Sequence, residues 1–222
     1  MTSPSGLVAI VRDNVLDQLT VDKLLSHAIM NESGFVEAPL IRGTKGAAPV
    51  VVREFRRNSQ LRGANSVPEN VMLRIRELVP ELAAKLPDVD RAEVAAGTYE
   101  VFITATPDGG FFRPHVDASH DGARDRFISF VLFFSLVPRP FAGGELCIER
   151  DWRDADRIFI FDPIRNGLTG EIAEVVEPMC NRLVVFRAHR RHEVKPVRSL
   201  SHAFQDSRFA VTGFVRSRSR TT

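Results

Sequence analysis

The sequence predicts a mainly β fold, a sandwich or barrel, with helices flanking it on the N-terminal side. Two observations carry this. From about Val94 onward, runs rich in Val, Ile, Phe and Thr are short and are separated by Gly, Pro, Asp and Asn, the punctuation of strands. Before that point, apolar residues recur three and four positions apart, the period of an α-helix. Short strands following one another at this spacing fit a sandwich or barrel and not a parallel α/β sheet.

The elements follow in order. Thr20 is the expected N-cap of a first helix, whose Val21, Leu24, Leu25, Ala28 and Ile29 form one stripe that should pack on a sheet. A second helix is expected to begin at Ser66. Ser66 and Glu69 form an S-x-x-E capping box, Pro68 suits the first turn, and Val71, Met72, Ile75, Leu78 and Val79 make the stripe. Pro80 should break or kink it. Between the helices, Gly43, Gly46, Pro49, Gly63 and several arginines indicate a loop-rich connector with room for a short hairpin. The predicted strands are 99–106, 127–137, 145–149, 157–161, 182–187 and 209–215. One domain is expected over residues 1–222, with 1–93 as helical support and loops, 94–216 as the β core and 217–222 as a basic tail.

Composition narrows the function classes. The 222 residues are 44% hydrophobic and 26% charged, as in soluble globular domains, so disorder and a membrane protein are both disfavoured. The longest apolar run, 127–137, is far short of the ~20 residues of a spanning helix. A net charge of +2 supplies no field for a polyanion, and Arg216, Arg218 and Arg220 are taken as a solvated terminus. Nucleic acid is therefore not an expected partner. Two cysteines make no disulfide framework, and Met1 to Ile10 has neither a basic nor an apolar leader region, so a reducing cytoplasm is the expected compartment.

The chemistry is sought first in His115-Val116-Asp117. In an extended strand, positions 115 and 117 share a face, so an imidazole and a carboxylate point into one space. His192 lies just after the 182–187 strand, where a sandwich can return the chain beside the first pair. Two histidines and one carboxylate on one face of an octahedral ion leave open positions, the arrangement of non-haem Fe(II) sites. Alone, H-x-D is a weak signal, since His115 can be a structural hydrogen bonder and Asp117 a loop cap. No thiolate set or H-E-x-x-H spacing points to zinc. His27, His120 and His202 are read as structural, whereas His189, three residues before His192, is a rival that spacing does not separate. Arg208 heads the last apolar strand, with Thr212 on the same face. A guanidinium there suits a carboxylate, but an exposed strand end is an equal reading, and Arg198 is an alternative.

Taken together, the motifs Phe111-Phe112-Arg113-Pro114-His115-Val116-Asp117, Gly143-Gly144-Glu145-Leu146, Asn181-Arg182-Leu183-Val184-Val185-Phe186, His192-Glu193-Val194-Lys195-Pro196-Val197 and Asp206-Ser207-Arg208-Phe209-Ala210-Val211 resemble the prolyl-4-hydroxylase-like branch of the 2-oxoglutarate and Fe(II)-dependent dioxygenases, the small stand-alone bacterial type. The order of the motifs is far more specific than any one of them, and it covers about residues 94–216. The resemblance implies a double-stranded β-helix, a cupin-like jelly roll. It selects His192 over His189 as the iron ligand beside His115 and Asp117, and Arg208 over Arg198 as the 2-oxoglutarate clamp, to which Thr212 on the same face adds a hydroxyl. Residues 199–205 look inserted relative to relatives. Fe(II), 2-oxoglutarate and O2 are the implied cofactors and co-substrates, with ascorbate as a supporting reductant.

Because Asp117 is present, hydroxylation is implied in preference to halogenation, which needs that ligand position free. Phe111, Phe112 and Arg113 are expected to line the substrate entrance, and Glu145 is taken as structural. A small molecule, a free amino acid, or a peptidyl or carrier-bound residue is the expected substrate, with specialised-metabolite biosynthesis as one setting. Two alternatives stand beside this reading. One is an alkylated-nucleobase demethylase, with the basic tail on phosphate; the other is a metal-binding sandwich without turnover.

Overall fold

A computed structural model of the chain describes residues 7–41, 49–118, 122–150, 171–199 and 201–218. The first strand is β1 (Ala9–Asp13), followed by helix α1 (Gln18–Met30). Short strands β2 (Val36–Glu37), β3 (Leu40–Ile41), β4 (Pro49–Val50), β5 (Arg56–Arg57) and β6 (Ser59–Leu61) lead to helices α2 (Glu69–Ala83) and α3 (Arg91–Ala96). The β core follows as β7 (Thr98–Thr106), β8 (Phe111–His115), β9 (Arg126–Phe134), β10 (Phe141–Gly143) and β11 (Leu146–Glu149). It ends with β12 (Ile172–Val176), β13 (Arg182–Arg187), β14 (His192–Val194), β15 (Val197–Ser199) and β16 (Arg208–Arg216).

Two antiparallel sheets dominate. The larger has the order β1-β13-β9-β16-β7-β6-β2 and the smaller β12-β11-β14-β8-β5. Strands that are neighbours in space are far apart in sequence, as in a jelly roll. The core has two storeys, and alternation along each large-sheet strand assigns residues to them. In β9, Ile128, Phe130, Leu132 and Phe134 face the helices, where Leu24, Ala28, Val71, Ile75, Leu78 and Leu82 meet them. Val131 and Phe133 turn the other way and pack with Leu146, Ile148, Val184, Phe186 and Ala210 between the sheets. Both faces are covered, so β9 reads as one continuous apolar run with no visible alternation. Each fully buried aliphatic side chain contributes ~1.5–3 kcal/mol, and Ile75→Ala would cost ~2–5 kcal/mol by leaving a cavity under α2.

Several local expectations are corrected. Asp17, not Thr20, caps α1: its carboxylate accepts from Thr20 N and from Thr20 Oγ1, each at 2.8 Å. A charged acceptor at the positive end of the helix outcompetes a hydroxyl, which becomes its donor instead. The Ser66–Glu69 capping box is not formed. Helix α2 is preceded by Pro68 and has no side-chain cap, while the Ser66 carbonyl faces His27 Nε2 at 3.1 Å. Nor does Pro80 end the helix, which runs on to Ala83. Burial of Leu78, Val79, Pro80, Leu82 and Ala83 on the sheet offsets the ~3 kcal/mol that an interior proline costs. Helix α3, capped by Asp90, was not expected.

The N-terminal half is more than helical support. β1 pairs with β13 through five residue pairs, and β6 pairs with β7, so this half supplies strands to the larger sheet. The connector holds β2 to β6. Within the core, 99–106, 182–187 and 209–215 are strands within a residue of the prediction. The predicted 127–137 strand stops at Phe134, and the 145–149 strand begins at Leu146. The predicted strand at 157–161 and His120 lie outside the described residues.

Candidate active site

The cavity between the sheets is lined by His115, Asp117 and His192, together with Arg208 and Thr212. His115 ends β8 and His192 begins β14, and the two are direct partners in the smaller sheet. The tripeptide is not wholly extended as expected: the strand stops at His115 and Asp117 is in a turn. Ala188 holds that turn, its carbonyl accepting from Asp117 N at 3.1 Å and Ala118 N at 3.3 Å. The carboxylate still converges with both imidazoles. Its Oδ1 is 3.6 Å from His115 Nε2 and its Oδ2 is 3.4 Å from His192 Nε2, and the ligand atoms of all three lie within 4.8 Å of one another.

The surroundings fix which nitrogen faces the centre. His115 Nδ1 is 2.8 Å from the Arg113 carbonyl and His192 Nδ1 is 2.9 Å from the Arg190 carbonyl. A carbonyl only accepts, so each Nδ1 carries the proton and each Nε2 keeps its lone pair for a metal. Burial, followed by the proximity of His115, lowers His192 to about 4, which keeps it neutral near pH 7. Burial alone would raise the Asp117 pKa; His192, His115 and a 2.7 Å hydrogen bond from Ser129 Oγ outweigh it and hold the carboxyl below its usual range. Two imidazoles and one carboxylate, oriented from outside, fit an octahedral Fe(II) with open positions.

Arg208 is 3% exposed and stands on the inner face of β16 with Ala210, Thr212 and Phe214. Its Nε donates to the Gly144 carbonyl at 2.7 Å, and Cζ lies 4.7 Å from the Phe133 ring centroid. Burial lowers it to about 9, so it remains a cation at neutral pH. One carbonyl and a ring face satisfy little of its five-donor fork, which suits a carboxylate. Thr212 Oγ1 is 3.3 Å from Thr104 Oγ1 on the same wall. Arg198, the alternative, is exposed and does not line the cavity. Gly143 and Gly144 both have positive φ, and a Cβ on Gly144 would stand 2.6 Å from Arg208 Cδ. The Gly-Gly turn thus lets β11 approach the guanidinium.

Phe111 and Phe112 line the cavity, but Arg113 does not; it lies over the Phe111 ring, with Cζ 5.0 Å from the centroid. Phe112 stacks on His115 with centroids 3.5 Å apart. A bulge makes this possible: His192 and Val194 oppose His115 and Phe112, so β8 holds one extra residue and both side chains turn inward. Within the 199–205 segment and just after it, a short 3-10 turn spans Phe204–Asp206, and Phe204 packs on Phe35 and Phe209. His27 and His202 are remote from the cavity lining, and His189 is not in the His-Asp-His group.

Sequence reasoning missed two features. One is Ser129, polar within an apolar strand. The other is the alternation of Arg56, Asn58, Gln60 and Arg62 in the connector, all of which line the same cavity. A polar residue inside an apolar run and a period of two were the available signals.

Two facing antiparallel sheets around an enclosed His-Asp-His group and a buried guanidinium define a β-sandwich with an internal site able to hold a metal ion and an acid. The chain belongs to the 2OG-Fe(II) oxygenase superfamily, whose family model it matches over residues 101–216. That superfamily uses Fe(II), 2-oxoglutarate and O2. An uncharacterized PKHD-type hydroxylase of Synechocystis sp. is 32% identical over 146 residues, covering 65% of this chain and 44% of that protein, so the match spans less than half of the curated relative. A Trichoplax adhaerens prolyl hydroxylase, solved with a hypoxia-inducible-factor peptide, superposes with a TM-score of 0.63 at 15% identity, covering 96% of this chain and 84% of the other. A Pseudomonas putida prolyl-4-hydroxylase gives 0.59 at 19% identity, covering 95% and 92%. These likenesses bear out the predicted jelly roll. No helix among the described residues is long and apolar enough to cross a membrane.

Proposed function

We propose that the chain is a single-domain 2-oxoglutarate- and Fe(II)-dependent hydroxylase of an unactivated C–H bond. In this reading His115, Asp117 and His192 ligate the iron, while Arg208 and Thr212 receive the distal carboxylate of 2-oxoglutarate. The observation that carries it is the buried, underused guanidinium of Arg208 in the same cavity as the His-Asp-His group. A cation so placed is costly unless an anion completes it. Bound iron, with O2 and 2-oxoglutarate as co-substrates, would supply the oxidising chemistry, one oxygen atom of O2 going to the hydroxylated product and the other to succinate, with loss of CO2.

The protein's own residues hold and orient. Asp117 supplies the negative charge of the ligand set, Ser129 fixes its carboxylate plane, and the carbonyls of Arg113 and Arg190 fix the imidazoles. Phe112, Phe186 and Phe214 help to wall the cavity and exclude water. The substrate is taken to be a small molecule or a short peptidyl or carrier-bound residue, which the partly open cavity between the sheets would admit. Pairing of β1 with β13 supports one domain, and the free Cys147 and Cys180 support a reducing cytoplasm.

The test is an anaerobic titration of the Fe(II)-loaded protein with 2-oxoglutarate, following the visible metal-to-ligand charge-transfer band. The band is expected in wild type, absent in His192→Ala, and shifted to much higher 2-oxoglutarate in Arg208→Ala. Bound iron with no band in wild type would leave a metal-binding module without turnover as the working assignment.

A further inference from the structure

The cavity has a second cationic wall that the iron and 2-oxoglutarate do not use. Asn58, Gln60 and Arg62 alternate along β6 and its flanks, and Gln60 is paired with the inward-facing Thr104 of β7. Arg56 lies on β5 opposite Phe112 in the smaller sheet. All four line the cavity together with Phe55, Phe102, Phe111 and Phe112.

The donors on this wall are incompletely used. Arg56 Nε donates to Asn58 Oδ1 at 2.5 Å, and its Cζ lies 4.3 Å from the Phe112 ring centroid. Among the described residues Arg56 forms no carboxylate ion pair. Arg62 Nε donates to Gln60 Oε1 at 2.7 Å, which leaves Gln60 Nε2 as a donor with no partner among the described residues, on a side chain that is 0% exposed. An unmet buried amide donor costs ~1–3 kcal/mol, which a ligand oxygen would recover.

Charge balance points the same way. On the reading proposed above, the ion and Arg208 match Asp117 and the two carboxylates of 2-oxoglutarate. Arg126 and Arg216 are matched by Glu100 and Asp125. Among the described residues the one carboxylate near Arg62 is the already shared Glu100, at 3.8 Å, and Arg56 has no carboxylate in ion-pair contact. Burial, with the neighbouring charge of Arg62 second, pushes Arg56 down to about 9 against the opposing effect of Asp117, so the partly buried cation is still charged at pH 7.

We propose that Arg56, with Gln60 Nε2 and Arg62, binds a carboxylate of the substrate, which is therefore an acid with an apolar body. The planar fork of Arg56 matches a carboxylate, and the phenylalanine rings match the remainder. Phe112 lies between Arg56 and His115, so the acid group is anchored one ring thickness from the metal ligand. Oxidation then falls on a carbon a few bonds from the carboxylate. This inference rests on the hydroxylase reading for what happens to the bound acid, but not for the binding itself.

The test is calorimetric titration of the full chain, saturated with Zn(II) and 2-oxoglutarate, with matched acids and amides: 3-phenylpropionate against 3-phenylpropanamide, and hexanoate against hexanamide. Wild type should bind at least one acid tenfold or more tightly than its amide. Arg56→Gln should abolish that preference, Arg56→Lys should keep part of it, and Arg198→Gln, outside the cavity, should keep all of it. If Arg56→Gln does not fold by circular dichroism, Arg62→Gln carries the test, with a threefold or larger loss of preference. Equal binding of acid and amide, binding of neither, a preference unchanged in the Arg56 variants, or one lost equally in Arg198→Gln would each overturn the proposal. The charge-transfer titration reports separately on the hydroxylase reading, so either can fail alone.

Discussion

Ser129 Oγ donates a 2.7 Å hydrogen bond to Asp117 Oδ2, the oxygen that stands 3.4 Å from His192 Nε2. A hydroxyl on the middle of β9 thus orients a carboxylate that has no strand of its own to hold it. Ser129→Ala should leave the fold intact at a cost of about 1 kcal/mol. Fe(II) affinity should fall by ~10-fold or more, the usual effect of losing such a support. Competition with a chelating dye would check this, and unchanged metal affinity would show that Asp117 is fixed by the Ala188 turn alone.

The approach of Gly144 to Arg208 gives a second prediction. A methyl group there meets Arg208 Cδ at 2.6 Å, on a residue with φ of +73°. Gly144→Ala should displace the guanidinium and cost ~1–3 kcal/mol of 2-oxoglutarate binding, raising the half-saturating concentration by about 5- to 150-fold. Metal affinity should change less than threefold. The charge-transfer titration reads both.

Metal binding should stabilise the fold, because the His-Asp-His group spans both β8 and β14. At a free metal concentration about 100 times Kd the gain is ~2.7 kcal/mol. Thermal melts with and without Zn(II) should show a rise in Tm for wild type and none for His115→Ala or His192→Ala. An equal rise in the variants would place the bound metal elsewhere.

Glu100 sets an acid limit. Burial raises its carboxyl pKa, but hydrogen bonds and charges from Arg126 and Arg216 outweigh this and lower it below 4.5 overall. A folded value below the unfolded one means that the unfolded chain binds the extra proton first. The stabilisation is therefore complete above about pH 4.5 and is lost as pH falls through the lower folded value. Urea unfolding from pH 6 to 3 should show a steeper loss in wild type than in Glu100→Gln. Parallel curves would remove Glu100 from the acid response.

The metal group was legible through the order of its motifs, since Asp117 lies in a turn beyond β8 and strand alternation does not place it; alternation served only the last strand. Arg208 and Thr212 are four apart on one strand and face one way, and that spacing is readable. Burial on both faces hid the two-storey core, since residues 127–134 carry apolar groups toward the helices and the second sheet alike. The pairing of β1 with β13 joins residues about 170 positions apart, and no local pattern encodes it. The α1 cap turned on a competition between Asp17 and Thr20, both good caps, which the charge of the carboxylate decided. The Arg56 to Arg62 wall escaped notice because its alternation is of donors, whereas strand recognition looks for alternating apolar residues.

The bulge in β8 sets a limit on how this protein can diversify. Because one extra residue turns Phe112 and His115 inward together, with their rings 3.5 Å apart, the wall that meets the substrate and an imidazole of the metal group share a single short segment. Exchanging Phe112 to admit a different molecule would also disturb the support of that imidazole. Lineages that change diet are therefore expected to vary the β5–β6 side first and to leave the 111–115 segment alone.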